Sequence, residues 1–230
     1  MPLYKTITIN ETTKAYFWHI TEDVTSLFRA VSLSDASIKR LEGMKSESHQ
    51  KGFLAVRMLL QYLDFSDNDL TYDAAGKPHL QVKRQKLKDK NSESVTHHPS
   101  PITQYISISH SHEFSCICIS DEVIGIDLEL IKEKSLKIAP RFMDVIHLQG
   151  LSIADQVTKT TIVWGIKESI FKIKNEKGIS FPEHIFEDTF DIEAGKCTAE
   201  LHFNNQIEKF QVQFHLIEGY VFVFSKILME

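Results

Sequence analysis

The chain has 230 residues, of which 42% are hydrophobic and 25% are charged, and its formal net charge is −5. A chain of this length and composition can bury a substantial core, which argues against global disorder. The net negative charge provides no general attraction to nucleic acid, and no apolar run approaches the roughly 18 residues of a membrane span. The N-terminal residues show no basic-then-apolar signal, and the three cysteines form no CxxC pair. We therefore expect a cytoplasmic protein that binds neither nucleic acid nor membrane.

The first part of the chain predicts two short strands followed by three helices. These segments are 3–9, 15–20, 22–30, 34–41 and 48–63. In the last of them, Phe53, Val56 and Leu60 recur at helical spacing and predict one buried face. The stretch 73–78, with its glycine and proline, predicts a turn.

Residues 83–103 differ in composition from the rest of the chain. They are basic at first and then rich in serine, histidine and proline, and they show no apolar periodicity. Such a segment contributes nothing to a core, and its length is unusual for a connection in a compact domain. We predict a long mobile loop here.

The second part of the chain begins with period-two alternation, which predicts strands. The predicted strands are 105–109, 114–120, 123–130, 189–192, 197–203, 210–216 and 220–227, and one long helix is predicted at 160–174. Each half thus has a long helix and antiparallel-looking strands. The predicted fold class is α+β, with two similar halves at 1–120 and 121–230, each a long helix packed on a small, mostly antiparallel sheet.

The run 123–129 contains two acidic residues, Asp127 and Glu129, in an apolar setting. Residues i and i+2 of a strand point to the same face, so these carboxylates should project side by side. Adjacent carboxylates repel each other and lose hydration on burial. A divalent cation removes that cost, and hard oxygen ligands suit magnesium. An edge strand with a solvated polar face is the alternative that this pattern leaves open.

Three further clusters are individually weak signals. Glu168 and Lys172 are four residues apart and share a helix face, which is also the spacing of an ordinary surface ion pair. Ser109-His110 lies where a predicted strand ends, a position that suits either a phosphate-binding or a structural histidine. Gly76-Lys77-Pro78 by itself predicts only a turn.

The order of the clusters is more specific than any one of them. The sequence has Gly-Lys-Pro at 76–78, Ser-His-Ser at 109–111, Gly-Ile-Asp-x-Glu at 125–129 and Trp-x-x-Lys-Glu-Ser-x-x-Lys at 164–172. This ordered set resembles the 4′-phosphopantetheinyl transferase superfamily, specifically its larger surfactin-synthetase-activating type. The likeness runs from about residue 51 to residue 181.

The resemblance implies an active site in the cleft between the two halves, where coenzyme A binds. The carboxylates of Asp127, Glu129 and Glu168 would hold Mg²⁺, or Mn²⁺ in its place, against the pyrophosphate. The other implied contacts to coenzyme A are Lys172, Ser109 and His110 at the phosphates, Gly76, Lys77 and Pro78 at the nucleotide end, and Lys51 at the 3′-phosphate.

The resemblance also implies the reaction. A serine hydroxyl of an acyl or peptidyl carrier protein attacks the β-phosphate of coenzyme A, and 3′,5′-ADP leaves, with Asp127, Glu168 and Lys172 as the catalytic residues. Either Glu168 or a metal-bound water accepts the serine proton, and we expect neighbouring lysines to keep Glu168 ionised. Because a two-halved chain supplies both sides of the cleft, a monomer is expected.

Two stretches depart from the family pattern. Gly165 stands where a small hydroxyl residue or cysteine is usual, a change expected to matter little, and Arg141–Val145 lacks the usual glutamate-containing continuation, so the choice of carrier protein stays open. Three other functions also stay open. They are an inactive relative that binds coenzyme A, a magnesium-dependent phosphohydrolase, and an interaction module whose basic loop binds an acidic partner.

Overall fold

The structure is a computed structural model that describes residues 3–81 and 104–229. Its strands are Lys5–Thr8 (β1), Lys14–His19 (β2), Leu70–Tyr72 (β3), Pro78–Leu80 (β4), Tyr105–Ser111 (β5), Phe114–Ser120 (β6), Ile124–Leu130 (β7), Ile185–Glu187 (β8), Lys196–Phe203 (β9), Gln206–Ile217 (β10) and Tyr220–Ile227 (β11). Its α-helices are Val24–Ala30 (α1), Asp35–Glu42 (α2), Glu47–Tyr62 (α3), Glu133–Ile138 (α4), Ile153–Lys174 (α5) and Phe181–His184 (α6). The predicted α+β class is confirmed. The segment 83–103, predicted to be a mobile loop, lies outside the described residues.

The strands form two main sheets and a separate hairpin. The first sheet has the order β1-β2-β6-β5, and the second has the order β7-β11-β10-β9-β8. Neighbouring strands in both sheets are antiparallel. The hairpin of β3 and β4 encloses the predicted turn at 73–78. Sequence reasoning missed these two strands because three residues are too few to show a periodicity.

Each main sheet carries one long helix, and a third core lies between the sheets. Helix α3 buries Phe53, Val56 and Leu60 in the first core, as their spacing predicts. Helix α5 packs on the second sheet with Ile162, Ile166 and Ile170. The third core joins side chains of both sheets, namely Ala15, Phe17, Phe114, Cys116, Cys118, Ile124, Ile126, Leu128, Ile217, Tyr220, Phe222 and Phe224.

Three serines connect the edges of the two sheets. The hydroxyl oxygens of Ser107, Ser109 and Ser111 on β5 accept hydrogen bonds from the backbone N–H groups of Ile126, Leu128 and Leu130 on β7, at 3.0, 3.1 and 3.3 Å. We call this set the serine row. The offset between partners is constant, so the two edge strands run parallel. Side-chain hydroxyls thus satisfy edge amides that would otherwise be buried without acceptors.

One predicted helix boundary and one predicted strand are wrong. Helix α5 begins at Ile153, not near residue 160, because the Ser152 hydroxyl accepts a hydrogen bond from the Asp155 N–H at 3.2 Å and caps a polar first turn that carries no apolar signal. The strand expected at 189–192 does not form. The edge strand is β8 instead, and Asp191 caps a 3₁₀ turn at Ile192–Ala194.

Within the described ranges, no helix combines the length and hydropathy of a membrane span.

Candidate active site

The two acidic residues of β7 face the serine row. The Ser109 hydroxyl donates to Asp127 Oδ1 at 2.9 Å, and the Ser111 hydroxyl donates to Glu129 Oε2 at 3.2 Å. The same hydroxyls accept the β7 amides, so each serine fixes both the backbone and the carboxylate of the facing strand. The residue pattern of β5 therefore sets where these carboxylates lie.

Lys172 of α5 reaches the same point from the helix side. Its Nζ lies 2.8 Å from Asp127 Oδ1, and it also donates to the Ile126 carbonyl at 3.0 Å and to the Ser109 hydroxyl at 3.3 Å. Only 5% of the Asp127 side chain is exposed, against 29% of the Lys172 side chain. A charge pair of this kind is held in place by its hydrogen bonds and remains accessible on the lysine side.

Gly165 lets α5 approach β11 and Asp127. A Cβ at this position would lie 2.6 Å from Val223 Cγ2 and 3.7 Å from Asp127 Oδ2. The absence of a side chain at this position thus permits the close contact between α5 and β11. Any side chain at position 165 would require Val223 to move.

Burial and mutual repulsion oppose the ionisation of the other two carboxyls. Burial, reinforced by the charge of Asp127, raises the pKa of Glu129 to about 7, although Ser111 and Lys172 act in the opposite direction. Burial and Asp127 likewise raise the pKa of Glu168, against a lowering contribution from Lys172. The net change in the pKa of Glu168 is thus opposite to the effect of Lys172, because desolvation outweighs that charge.

The described residues contain no set of three Asp, Glu, His or Cys side chains arranged to hold a metal ion. The Oδ1 atom of Asp127 instead accepts a hydrogen bond from Lys172. Its other oxygen, Oδ2, is buried and has no hydrogen-bond partner among the described residues. That orphaned oxygen, together with the raised pKa of Glu129 and of Glu168, is the electrostatic situation that a hard divalent cation relieves. The chemistry of the donor set therefore fits Mg²⁺ or Mn²⁺.

A cavity of about 370 Å³ lies beside this charge pair. The predicted site residues that line it are Gly76, Lys77, Pro78 and His110 from the first part of the chain and Lys172 from the second. The other lining residues are Arg40, Met44, His49, Phe53, Val56, Arg57, Tyr72, Ile106, Ser107, Ile108, Ile124 and Asn175. Because cavities of about this size bind small molecules and cofactors, this is the candidate ligand site.

His110 lies on the wall of the cavity with its ring accessible. Desolvation by the surrounding protein, followed by the charges of His49 and Lys172, lowers its pKa. The rings of His49 and His110 meet edge to face with centroids 6.0 Å apart. An imidazole beside Lys172 is suited to meet an anion, whose charge would favour protonation of the ring.

Arg40 is a cavity residue that sequence reasoning missed, whereas Lys51 does not line the cavity. The guanidinium carbon of Arg40 lies 4.6 Å from the centroid of the Tyr72 ring. Lys51 Nζ instead lies 3.0 Å from Glu47 Oε1, one helical turn away. Several basic residues occur between positions 39 and 51. No local pattern indicates which of them faces the cavity.

Lys77 connects the hairpin turn to the end of α5. Its Nζ donates to the Ile173 carbonyl at 2.6 Å, and burial lowers its pKa. Nearby, the Asn175 side-chain amide donates to the Ala75 carbonyl at 3.3 Å. Asn175 is the C-cap of α5 and has a left-handed backbone, with φ of 50°. These two bonds, which we call the clasp, hold one cavity wall against the helix that carries Glu168 and Lys172.

A buried ion pair fixes the wall formed by α2 and α3. Arg57 Nε lies 3.0 Å from Asp67 Oδ1, and both side chains are less than 5% exposed. The Ser34 N–H and hydroxyl donate to Asp67 Oδ2 at 2.8 and 2.7 Å, and Ser37 donates to Oδ1 at 3.0 Å. Burial opposes the ionisation of Asp67, but these hydrogen bonds and Arg57 lower its pKa overall. The pair thus anchors the start of α2, the helix that carries Arg40.

Two known proteins are similar to part of this chain. The chain is 32% identical over 120 residues to the 4′-phosphopantetheinyl transferase gsp of Aneurinibacillus migulanus, a match that covers 50% of this chain and 48% of that protein. It is 35% identical over 81 residues to the 4′-phosphopantetheinyl transferase Sfp of Bacillus subtilis (strain 168), covering 34% of this chain and 36% of Sfp. The chain thus matches about half or less of the length of these curated relatives. No family model matches the sequence. The two similarities confirm the resemblance read from the ordered motifs.

Proposed function

We propose that this chain is a 4′-phosphopantetheinyl transferase of the surfactin-synthetase-activating type. It moves the phosphopantetheine arm of coenzyme A onto a serine of an acyl or peptidyl carrier protein and releases 3′,5′-ADP. The observation that carries the proposal is the cavity, because residues from three of the four ordered motifs line it and the fourth supplies Asp127 at its border. The names of the two relatives support the same activity.

In this proposal the cavity binds the nucleotide and pyrophosphate of coenzyme A. Lys172, which is still partly exposed, donates to the pyrophosphate oxygens, and His110 donates as a second lining residue. Gly76 and Pro78 shape the nucleotide end, and Arg40 adds a cation from α2. Positioned donors around the pyrophosphate match what phosphoryl transfer requires, namely charge stabilisation and orientation.

Asp127, Glu129 and Glu168 would hold Mg²⁺ in this proposal. Bound there, the ion supplies positive charge that offsets the charge on the pyrophosphate oxygens. The unpartnered Oδ2 of Asp127 and the raised pKa of Glu129 support this assignment.

Glu168 is our candidate for the group that takes the proton from the serine hydroxyl of the carrier protein. A carboxyl whose pKa is raised is a stronger base than an ordinary glutamate. Burial and Asp127 supply that upward change. We also propose that the protein acts as a cytoplasmic monomer.

The test is the mass of a carrier protein after incubation with the chain, coenzyme A and Mg²⁺. We expect the apo carrier to gain one phosphopantetheine group at its serine and an equal amount of 3′,5′-ADP to form. Several carriers, from fatty-acid, polyketide and nonribosomal-peptide systems, should be tried. Breakdown of coenzyme A in the absence of any carrier would instead indicate a phosphohydrolase. Coenzyme A binding without transfer to any carrier would indicate an inactive relative.

A further inference from the structure

Helix α3 passes very close to His110 at a single glycine. A Cβ built at Gly52 would lie 2.9 Å from both Cγ and Nδ1 of His110 and 3.3 Å from its Cβ. A Cβ atom does not come within about 3.0 Å of a heavy atom to which it is not bonded, so the ring occupies space that any other residue at position 52 would take.

The helix cannot easily retreat to relieve such a clash. The Ser115 hydroxyl donates to the Gly52 carbonyl at 3.2 Å, and Ser115 is fully buried. Ser115 also pairs with His110 across β5 and β6. The glycine and the histidine are therefore fixed relative to each other through the same strand, and moving α3 would leave buried polar atoms unpaired.

The imidazole itself is the part that can move. One side of the ring lies against Gly52, and the ring also borders the cavity. The two ring atoms nearest to position 52 are Cγ and Nδ1, and relieving a contact with Cγ requires rotation about the Cα–Cβ bond rather than a small adjustment at the ring tip. Such a rotation would swing both ring nitrogens away from their present direction.

We propose that Gly52 is a positioning residue that sets the orientation of His110 toward the ligand in the cavity. This inference rests on the proposed function for the identity of the ligand, coenzyme A, but not for the contact itself. Glycine in a helix interior is normally less favourable than alanine, so its use at this position has a structural reason in the space that it leaves.

The test is a double-mutant cycle in coenzyme A affinity, measured by calorimetry on four proteins: wild type, Gly52→Ala, His110→Ala and the double variant. We expect Gly52→Ala to weaken binding about 5- to 10-fold, the effect of losing one well-placed hydrogen bond. In the His110→Ala background the same change should alter affinity less than 2-fold, because no ring remains to be displaced. Equal weakening in both backgrounds, or none in wild type, would overturn the proposal.

Gly43→Ala is the matched control, because a Cβ there meets only atoms at 3.5 and 3.8 Å. It should leave affinity within 2-fold of wild type. A second readout needs no ligand: the NMR signal of the His110 ring should shift in Gly52→Ala and stay in place in Gly43→Ala. If wild type binds no coenzyme A, the proposed function fails while the ring signal still decides the role of Gly52. An unmoved ring signal would reject that role.

Discussion

Asp127 is the residue on which the elements of the site converge. Its Oδ1 accepts from Ser109 of β5 and Lys172 of α5, and its Oδ2 is buried without a partner in the described ranges. Its charge raises the pKa of Glu129 and of Glu168. A single carboxylate thus contacts the lysine and the serine hydroxyl and influences the two other acids.

Replacing Asp127 by asparagine should separate its charge from its hydrogen bonding. Asparagine still accepts from Ser109, and it removes the repulsion with Glu129 and Glu168, so we expect the free energy of unfolding to change by no more than about 1 kcal/mol. Transfer to the carrier should fall at least about 100-fold, because the candidate metal site loses a charge. Carrier mass analysis and urea unfolding measure the two effects. Near-normal transfer by this variant would contradict the role of Asp127.

Glu129 should make the stability of the metal-free protein depend on pH. Its pKa is raised from 4.5 to about 7 in the folded state. A raised carboxyl pKa means that the contribution of Glu129 to stability is fully present below about pH 4.5 and is lost as the pH rises through about 7. Glu129→Gln should therefore be more stable than wild type at pH 8, by about 1–3 kcal/mol after allowance for solvent screening, and should lose that advantage below pH 4.5.

Urea unfolding in EDTA between pH 4 and pH 8 measures this difference. Glu183→Gln, which changes an exposed carboxyl on α6, is the matched control. A difference between wild type and Glu129→Gln that stays constant over this pH range would show that Glu129 is not perturbed as described.

At the scale of elements, the serine row explains how two sheets become continuous without regular strand pairing. Strands β5 and β7 are edges of different sheets, and the hydroxyls of β5 accept the amides of β7. Period-two spacing places all three serines on one side of β5. The same row also orients Asp127 and Glu129, so the joint between the sheets and the candidate site share the same side chains.

A substitution at Ser107 tests the serine row separately from the carboxylates Asp127 and Glu129. Its hydroxyl accepts from the Ile126 N–H, and only 4% of the residue is exposed. Ser107→Ala should leave that buried amide unpaired and lower the free energy of unfolding by about 1–3 kcal/mol. Ser26→Ala, on the exposed side of α1, should change it by less than about 0.5 kcal/mol. Equal unfolding midpoints for the two variants would mean that the amide finds another partner.

At the scale of the whole molecule, the cavity forms where the parts of the chain meet. Its walls come from α2, α3, the turn between β3 and β4, β5 and the end of α5. The clasp of Lys77 and Asn175 connects the turn to α5, and the Arg57–Asp67 pair anchors α2 to α3. The position of Lys172 relative to the nucleotide end thus depends on contacts between segments distant in sequence.

Removing one hydrogen bond of the clasp should weaken ligand binding in the cavity. Asn175→Gly keeps the left-handed backbone accessible but removes the bond to the Ala75 carbonyl. We expect coenzyme A affinity to fall about 2- to 5-fold, because the turn must be ordered on binding. Asn175→Ala should also strain the backbone and so lower the unfolding temperature further than Asn175→Gly does. Titration calorimetry and thermal unfolding check the pair. Identical unfolding temperatures for the two variants would argue against the left-handed cap.

Arg40 should provide selectivity for the 3′-phosphate of coenzyme A. A dianionic group is costly to bury without a cationic partner, and a charge-assisted bond contributes about 1.5–3 kcal/mol, or roughly 10- to 100-fold in affinity. Arg40→Gln should therefore narrow the preference for coenzyme A over dephospho-coenzyme A by about that factor. Lys39→Gln, on the neighbouring residue of α2, is the control and should preserve the preference. The affinities of both ligands for wild type, Arg40→Gln and Lys39→Gln test this prediction. An unchanged preference in Arg40→Gln would show that Arg40 does not contact the 3′-phosphate.

Local pattern alone determined much of this protein. Helical spacing in α3, period-two alternation in β5, β6 and β7, and the glycine-proline turn are properties of neighbouring residues, and they predicted these elements and the α+β class. The ordered motifs likewise indicated candidate residues for the site, because family motifs are read directly from residue types. Sequence reasoning missed the start of α5, whose first turns are polar, and the strands β3 and β4, which have three residues each. Local signals are weak in all three places.

Only the tertiary structure determined how the residues of the candidate site are arranged and what surrounds them. Sequence spacing cannot show that burial outweighs Lys172 at Glu168, because desolvation depends on what packs around the carboxyl. It cannot choose Arg40 over Lys51 as a cavity residue, since that choice depends on how α2 and α3 pack on the rest of the protein. The space left by Gly52 for His110 likewise exists only once α3 lies on the first sheet, because residues 58 positions apart in the chain meet through the packing of the helix on the sheet.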